Sequence, residues 1–178
     1  MRKIIESTLL SLDGVIEDPA KWEIGEYLDD AFETAALERL LESDAMLMGR
    51  CTYEMLARDW AAATGDFANR INGMRKYVVS STLENADWNN STIIRDDVVN
   101  AVTKLKDLPG SDLAIYGHGL LAETLLKHRL TDEVRLSVFP LVIGKGKLLF
   151  REGEELRLRL IDSTSLRTGV VVMRYQPI

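Results

Sequence analysis

The chain has 178 residues, of which 46% are hydrophobic and 28% are charged, a composition typical of ordinary globular proteins. This length suits one domain, and we expect residues 1–178 to form a single domain. The 22 basic and 28 acidic residues give a formal net charge of −6. Such a balance argues against a surface built to follow nucleic acid or an anionic membrane.

Cys51 is the only cysteine, which excludes an internal disulfide and a zinc site with several cysteine ligands. A lone cysteine is typical of proteins from a reducing compartment. Glu6, Ser7 and Thr8 interrupt the apolar run that a signal peptide needs, and no segment approaches the ~18 apolar residues of a membrane span. We therefore expect a cytoplasmic protein with neither a membrane nor a nucleic-acid partner.

Strands and helices alternate through the first part of the sequence. Short apolar runs that end at polar residues or glycine predict buried strands, and apolar residues spaced three or four positions apart predict helices. The predicted strands are 2–10, 45–48, 77–79, 92–94 and 113–116, and the predicted helices are 28–41, 50–60, 98–108 and a last one that ends at 126. This alternation predicts a parallel sheet with helices on its faces.

Three further strand-like segments follow at 133–138, 156–160 and 170–175, with no helix between them to make a crossover. They are expected to pair antiparallel. Residues 157–161 alternate between polar and apolar, which predicts that one face of this strand is exposed, and Thr168-Gly169 predicts a turn into the last strand. The predicted fold class is α/β, with a mixed sheet that is parallel at its centre and antiparallel at its C-terminal strands.

Polar or glycine residues follow four of the predicted strands, at 11–14, 49–52, 80–82 and 117–119. In open α/β sheets the ligand crevice lies at the carboxyl ends of the strands, where helix N-termini present free N–H groups. Each segment alone could equally be a helix cap or a turn. The last three together suit a ligand with several anionic groups, such as a dinucleotide, although the sequence lacks the glycine fingerprint of an ordinary Rossmann site.

Four segments together carry a resemblance to a known family. They are Met48-Gly49-Arg50-Cys51-Thr52-Tyr53-Glu54, Tyr77-Val78-Val79-Ser80-Ser81-Thr82, Ile115-Tyr116-Gly117-His118-Gly119-Leu120 and Pro140-Leu141-Val142-Ile143-Gly144-Lys145-Gly146. In this order they resemble the dihydrofolate reductase superfamily, and within it the C-terminal reductase domain of the bifunctional riboflavin-biosynthesis deaminase-reductase. The resemblance runs from Ser7 to about Tyr175. It implies a three-layer fold, with helices on both faces of the sheet and NADPH bound across its carboxyl edge.

The resemblance also implies cofactor-binding roles for individual residues. It assigns the phosphates to Gly49, Arg50 and Thr52, the adenosine 2′-phosphate to Ser80 and Ser81, and the nicotinamide pocket to Leu9 and Ile16. The pyrophosphate and nicotinamide end falls to Gly117, His118, Gly119 and Leu120, and Thr82 is a further cofactor-binding residue.

Catalytic and substrate contacts are assigned to fewer residues. Superfamily members that reduce dihydrofolate carry a carboxylate on the first long helix, and that position falls on Glu33, whose acidic neighbours also fit a solvated helix face. Asp13, at the exit of the first strand, is the second catalytic candidate. Trp22 is a candidate to stack on a flat substrate, and His118 could donate a proton.

The resemblance implies an NADPH-dependent reductase of a small pyrimidine- or pteridine-like heterocycle. The closest named activity is 5-amino-6-(5-phosphoribosylamino)uracil reductase. The deaminase activity of the bifunctional enzyme is not expected, because its zinc site needs more cysteine ligands than the single one present. Two alternatives stay open. Dihydrofolate reduction requires Glu33 to be buried beneath the substrate, and a non-catalytic nucleotide-binding or sensing module requires NADPH binding without hydride transfer. Pairing through the C-terminal strands, as in family members, implies a homodimer.

Overall fold

In a computed structural model, residues 1–150, 153 and 155–178 are described, and within them the chain forms an eight-stranded mixed sheet. The strands are β1 (Ile4–Ser11), β2 (Ser43–Gly49), β3 (Arg75–Val79), β4 (Ser91–Ile94), β5 (Asp112–Tyr116), β6 (Glu133–Phe139), β7 (Leu158–Ser165) and β8 (Val171–Pro177). Their order across the sheet is β4-β3-β2-β5-β1-β6-β8-β7. The first six strands are parallel, and β8 and β7 are added antiparallel at one end. The predicted fold class is confirmed.

Helices cover both faces of this sheet. They are α1 (Asp30–Leu41), α2 (Arg50–Trp60), α3 (Asp66–Gly73), α4 (Val98–Asp107) and α5 (Leu120–Lys127), with two short 3-10 helices at Pro19–Lys21 and Ile24–Tyr27. Helices α1, α2 and α3 pack on one face, here called the α1 face, and α4 and α5 pack on the other, the α5 face. No helix in the described part of the chain is long and apolar enough to cross a bilayer.

The predicted helices are present with small differences at their ends. Helix α1 begins two residues later than predicted, because the side chain of Asp29 accepts a hydrogen bond of 2.9 Å from the backbone N–H of Phe32 and caps the helix there. Helix α3 and the 3-10 helices were not predicted. These helices are short, and polar residues or glycine separate their few apolar side chains.

Strand β2 is buried on both faces, as its wholly apolar run predicts. Ala45 and Leu47 contribute to the core on the α5 face, and Met46 and Met48 contribute to the core on the α1 face. Burial on both faces is typical of central strands in parallel sheets. It places the carboxyl end of β2 in the middle of the sheet edge, between the ends of β3 and β5.

Strand β7 differs from its prediction. It was expected to bury one face, but every residue from 159 to 165 is exposed, including Leu160 and Ile161 at 52% and 49%. The reason is its place at the sheet edge, where β8 is its one hydrogen-bonded neighbour among the described strands. The predicted turn into β8 is confirmed: Gly169 has a φ of +88° and donates its N–H to Leu166 O at 3.0 Å.

Lys76 is the largest fully buried side chain among the described residues, with 0% exposure in β3. Its ammonium donates to the backbone oxygens of Asn72, Met74 and Asn89 at 3.2, 2.9 and 3.0 Å. It also lies 4.4 Å from the ring centroid of Trp88, a favourable cation–π distance. Lys76 thus ties the end of α3 to the segment that precedes β4.

Candidate functional site

Strands β2 and β5 are neighbours that separate before they end. Their pairing covers Ser43 with Asp112, Ala45 with Leu113 and Met46 with Ala114, and stops there. Beyond these pairs β2 leads into α2 on the α1 face, while β5 leads into α5 on the opposite face. A sheet opens at such a switch point, and a cleft of about 420 Å³ lies between the two strand ends.

The N-termini of α2 and α5 line this cleft from its two sides. Neither helix has a side-chain N-cap, so the N–H groups of both first turns are open to a ligand. Helix N-termini carry partial positive charge and favour anions. The lining residues include Gly49, Arg50 and Thr52 from the β2–α2 junction and Gly117, Gly119 and Leu120 from the β5–α5 junction, all of them predicted cofactor-binding residues.

Gly49 and Gly119 leave space in this cleft that the protein itself does not use. Their backbones have φ values of −80° and −145°, which any residue can adopt. A Cβ atom at either position would meet nothing within 4 Å. Gly117 is different, because its φ of +78° itself favours glycine. Glycine at positions 49 and 119 therefore suits a ligand that lies directly against the backbone.

Arg50 connects the start of α2 to the loop after β3. Its Nη1 donates to Thr82 Oγ1 at 3.0 Å, and its Nε lies 3.4 Å from Glu54 Oε1. Within the loop, the buried Ser80 Oγ accepts hydrogen bonds from the backbone N–H groups of Thr82 and Leu83. Ser80 therefore shapes the loop, and it retains its hydroxyl proton for donation. The segments predicted to bind phosphates thus lie side by side.

His118 does not point into the cleft. Its ring is buried, and Nδ1 lies 2.6 Å from Oε1 of Glu6, a carboxylate with 0% side-chain exposure. Glu6 shares the α5 face of β1 with Ile4, so the imidazole packs on that face of the sheet. Gly117 and Gly119 line the cleft and His118 does not. The predicted contact of His118 with a cofactor stays a prediction.

Asp13 holds two loops together. Its carboxylate accepts hydrogen bonds from Ser11 Oγ at 2.6 Å and from the backbone N–H groups of Ile143 and Gly144 at 3.1 and 2.7 Å. These donors lower the pKa of Asp13 to about 2. The group is ionised at neutral pH and engaged by these donors, and it clamps the turn after β1 to residues 143–144. A catalytic role for Asp13 stays a prediction.

Glu33 is exposed in the first turn of α1. Phe32 and Leu40, on the same helix, enter the core, and Glu33 lies seven positions before Leu40, on nearly the same side of the helix. A catalytic role for Glu33 stays a prediction.

Leu9 and Ile16 were expected to share a nicotinamide pocket, and the structure separates them. Leu9 packs with Phe139 and Trp22 on the α1 face, whereas Ile16 packs with the core around β6 on the other face. Ile16 turns that way because its N–H donates to Lys147 O at 2.9 Å. Neither residue is among those that line the cleft.

Trp22 is half-buried beside the same aromatic cluster. Its Nε1 donates to Glu17 O at 2.9 Å, and its ring meets Phe139 edge-on at 6.5 Å. The indole is therefore held in one orientation on the α1 face of the sheet. Stacking of Trp22 on a substrate stays a prediction.

Sequence reasoning missed several polar side chains beneath α1. Ser7 and Ser137 are hydroxyl residues within otherwise buried strands, on the face that packs against α1. Tyr116 is the cross-strand partner of Ser7, and Arg39 is an electrostatic neighbour of Tyr116. The signal that could have found them is a polar residue at an inward position of a strand that is apolar elsewhere, since such groups need a partner.

The comparisons with known proteins agree with this architecture. The model of the family described as RibD C-terminal domain matches residues 2–172. The chain belongs to this family. The RibD C-terminal domain is a reductase domain of the dihydrofolate reductase-like superfamily, so the resemblance inferred from the sequence is confirmed. Among curated proteins, the uncharacterized protein YyaP of Bacillus subtilis is 29% identical over 180 residues, which cover 98% of this chain and 94% of YyaP.

Solved structures related to the RibD C-terminal family share the fold. A pyrimidine reductase-like protein from Corynebacterium diphtheriae aligns with a TM-score of 0.67 and 14% identity, over 99% of this chain and 92% of that one. The diaminohydroxyphosphoribosylaminopyrimidine deaminase/5-amino-6-(5-phosphoribosylamino)uracil reductase of Thermotoga maritima aligns with a TM-score of 0.68 and 15% identity, over 99% of this chain and 57% of that one. At these identities the likeness shows the fold alone.

Proposed function

We propose that this member of the RibD C-terminal family is an NADPH-dependent reductase of a small pyrimidine- or pteridine-like heterocycle. Reduction of 5-amino-6-(5-phosphoribosylamino)uracil is the nearest named activity. The observation that carries the proposal is the cleft between β2 and β5, where two uncapped helix N-termini meet. Open N–H groups with partial positive charge on both sides complement a ligand with several phosphates.

The residues of the cleft fit NADPH. The N-terminus of α2, with Arg50 and Thr52, suits the phosphates, and the adjacent Thr82 hydroxyl extends this region toward a 2′-phosphate. The N-terminus of α5 suits the pyrophosphate. NADPH supplies a hydride when bound, and the role of the protein is to bind and orient both reactants and to keep water from the reacting atoms.

Dihydrofolate reduction, the first alternative, has less support. It needs a carboxylate beneath the substrate to pair with the pterin, whereas Glu33 is exposed in the first turn of α1. The second alternative is a nucleotide-binding module without turnover. It would bind the nucleotide in the same cleft, so measurement of hydride transfer decides between this module and the reductase.

The proposal is tested by titration of the purified protein with NADPH and with NADH, read by calorimetry. We expect NADPH to bind about tenfold more tightly than NADH or better, because the 2′-phosphate adds charge-assisted hydrogen bonds. Absence of binding by either nucleotide would overturn the proposal. NADPH binding without oxidation of NADPH in the presence of any pyrimidine or pteridine would favour the non-catalytic module.

Replacement of Arg50 by alanine is expected to weaken NADPH binding by roughly 1.5 to 3 kcal/mol, the loss of a charge-assisted hydrogen bond to phosphate. Calorimetric titration of the variant measures this change. The control is Arg167→Ala, which removes an exposed arginine from the β7–β8 turn and should leave NADPH affinity unchanged. An unaltered titration of Arg50→Ala would remove Arg50 from the site.

Replacement of Gly49 by alanine tests whether a ligand occupies the space beside the backbone. The variant should fold, because no protein atom lies within 4 Å of the added Cβ, and the cost at this N-cap position is at most about 1 kcal/mol. NADPH affinity should fall by about tenfold or more, since the methyl group fills the space that a phosphate needs. Gly73→Ala, at a position equally free of neighbours but distant from the cleft, is the matched control. Equal NADPH affinity of both variants would contradict the assignment.

A further inference from the structure

Glu6 and His118 form a buried pair of ionisable side chains that the proposed hydride transfer does not use. Nδ1 of His118 lies 2.6 Å from Oε1 of Glu6, and the two side chains are only 2% and 0% exposed. Glu6 projects from β1 on the α5 face of the sheet, and His118 belongs to the segment between β5 and α5. We call this pair the Glu6–His118 dyad.

The dyad has few hydrogen bonds for groups so deeply buried. Oε2 of Glu6 has no hydrogen-bond partner among the described residues, and besides His118 the carboxylate meets only Thr8 Oγ1 there, at 3.4 Å. Nε2 of His118 has no hydrogen-bond partner in the same part of the chain. A carboxylate beside a neutral imidazole in this place therefore has one close donor, whereas buried charges are normally paired and fully hydrogen-bonded.

The other charged groups around the dyad, among the described residues, are engaged with each other. Nζ of Lys147 lies 3.5 Å from His118 O, and Glu123 of α5 holds the same ammonium at 3.5 Å. On α4, Lys106 is paired with Asp132. The ring of Phe150 meets the imidazole edge-on at 6.1 Å. The remaining neighbours on this face, from β5, β6 and α4, are apolar: Ile115, Val134, Val102 and Leu105.

The dyad adjoins the cofactor cleft through the backbone. Gly117 and Gly119 flank His118 and line the cleft, and α5 begins at Leu120 without a side-chain N-cap. The partial positive charge of this helix N-terminus opposes a further proton on the imidazole two residues before it. A phosphate bound at the N-terminus would cancel this effect and would add negative charge beside the dyad.

Building on the reductase function proposed above, we propose that the Glu6–His118 dyad takes up a proton when NADPH binds, so that the affinity for NADPH falls as pH rises. With a neutral imidazole the dyad carries one net negative charge, which repels the phosphates. With one more proton, drawn from solvent, an imidazolium faces the carboxylate and the net charge is zero. Because the nucleotide favours the second form, reciprocity requires that protons favour nucleotide binding.

Calorimetric titration with NADPH in two buffers of different ionisation enthalpy, PIPES and imidazole, counts the protons taken up at about pH 6.5. The 2′-phosphate of the nucleotide can also bind a proton near this pH, so the measured quantity is the difference between proteins. The wild type should take up about 0.3 proton per nucleotide more than His118→Asn, as expected for a fivefold coupling. Asparagine keeps a donor for Glu6 near the place of Nδ1 and does not titrate. His128→Asn replaces the other histidine, which is exposed, and should match the wild type.

The dependence of affinity on pH gives a second measurement. Between about pH 5 and 8, where histidines ordinarily change charge, the affinity of the wild type for NADPH should fall about fivefold more than that of His118→Asn. Glu6→Gln should remove the same difference, because a buried imidazolium beside a neutral amide lacks its counter-charge. A residue that only shapes the segment before α5 would change the affinity by the same factor at every pH and would leave the proton count unaltered.

The outcomes separate this inference from the proposed function. NADPH binding in which the wild type takes up no more protons than His118→Asn would overturn the linkage and leave the reductase untouched. Absence of NADPH binding would overturn both proposals. Proton uptake that depends on His118, in a protein that oxidises NADPH with no pyrimidine or pteridine, would support the linkage and overturn the reductase. If His118→Asn does not fold, Glu6→Gln takes its place, and equal proton uptake by Glu6→Gln and the wild type would again overturn the linkage.

Discussion

Replacement of His118 by alanine is expected to lower the free energy of unfolding by about 1 to 3 kcal/mol, the usual cost of leaving a buried polar group without its hydrogen-bond partner. The Glu6 carboxylate has 0% side-chain exposure, and its Oε2 has no hydrogen-bond partner among the described residues. Without the imidazole, Oε1 would keep only a 3.4 Å contact with Thr8 Oγ1. A carboxyl group left in this position has no water and no close partner.

Urea denaturation measures the change, with His128→Ala as the matched control. His128 is exposed at the end of α5, and its removal should alter the free energy of unfolding by less than about 1 kcal/mol. The double variant Glu6→Leu/His118→Leu should recover much of the loss, because apolar side chains can replace a buried pair. A single His118→Ala variant as stable as the control would show that the pair contributes nothing.

The same variant should also weaken nucleotide binding. Gly117 and Gly119 flank His118 and line the cleft, so the Glu6–His118 pair fixes the segment that leads into α5 from the opposite face of the sheet. Loss of this anchor frees the segment before the helix N-terminus. We therefore expect calorimetric titration of His118→Ala with NADPH to show weaker binding, as for a residue that positions the cleft without contacting the nucleotide.

The free energy of unfolding is expected to rise with pH between about 8 and 10.5 because of Lys76. Burial lowers the pKa of this ammonium from its ordinary 10.5 to about 8 in the folded chain. In that window the unfolded chain binds the proton and the folded chain does not, so stability rises as pH rises. The full effect is about 3 kcal/mol, from the difference between the two pKa values at 1.36 kcal/mol per pH unit.

Denaturation midpoints at a series of pH values test this linkage. Lys76→Met should lack the rise, and at pH 7 it should be less stable than the wild type, because the backbone oxygens of Asn72, Met74 and Asn89 lose their donor. Lys104→Met removes an exposed lysine on α4 and should keep the rise. Parallel pH profiles for the wild type and Lys76→Met would contradict the prediction.

The sheet and the cofactor-binding edge could be predicted because their signals are local. The run 45–48 is apolar without interruption and can only be a strand buried on both faces, and Gly49 and Arg50 after it mark a helix start. Once the strands are parallel, the segments that follow them must meet at one edge. The loop at 80–82 therefore lies beside Arg50, as the contact with Thr82 shows.

The directions of individual side chains could not be predicted in the same way. His118 lies between two glycines of the cleft, yet its ring packs on the far face because a partner, Glu6, is 112 positions away in sequence. Leu9 and Ile16 lie on either side of the turn after β1, yet they pack on opposite faces of the sheet. The direction of such a side chain depends on contacts between segments that are distant in sequence, so no local sequence pattern predicts it.

The early separation of β2 and β5 divides the sheet into two parts joined by three residue pairs. One part holds β4, β3 and β2, and the other holds the remaining five described strands. A dinucleotide in the cleft would touch both, so its binding free energy would act as a cross-link between them, adding about 2.7 kcal/mol at a hundredfold excess over Kd. Amide hydrogens at the free ends of β2 and β5 should then exchange with deuterium more slowly when the nucleotide is present, while those of β7 keep their rate.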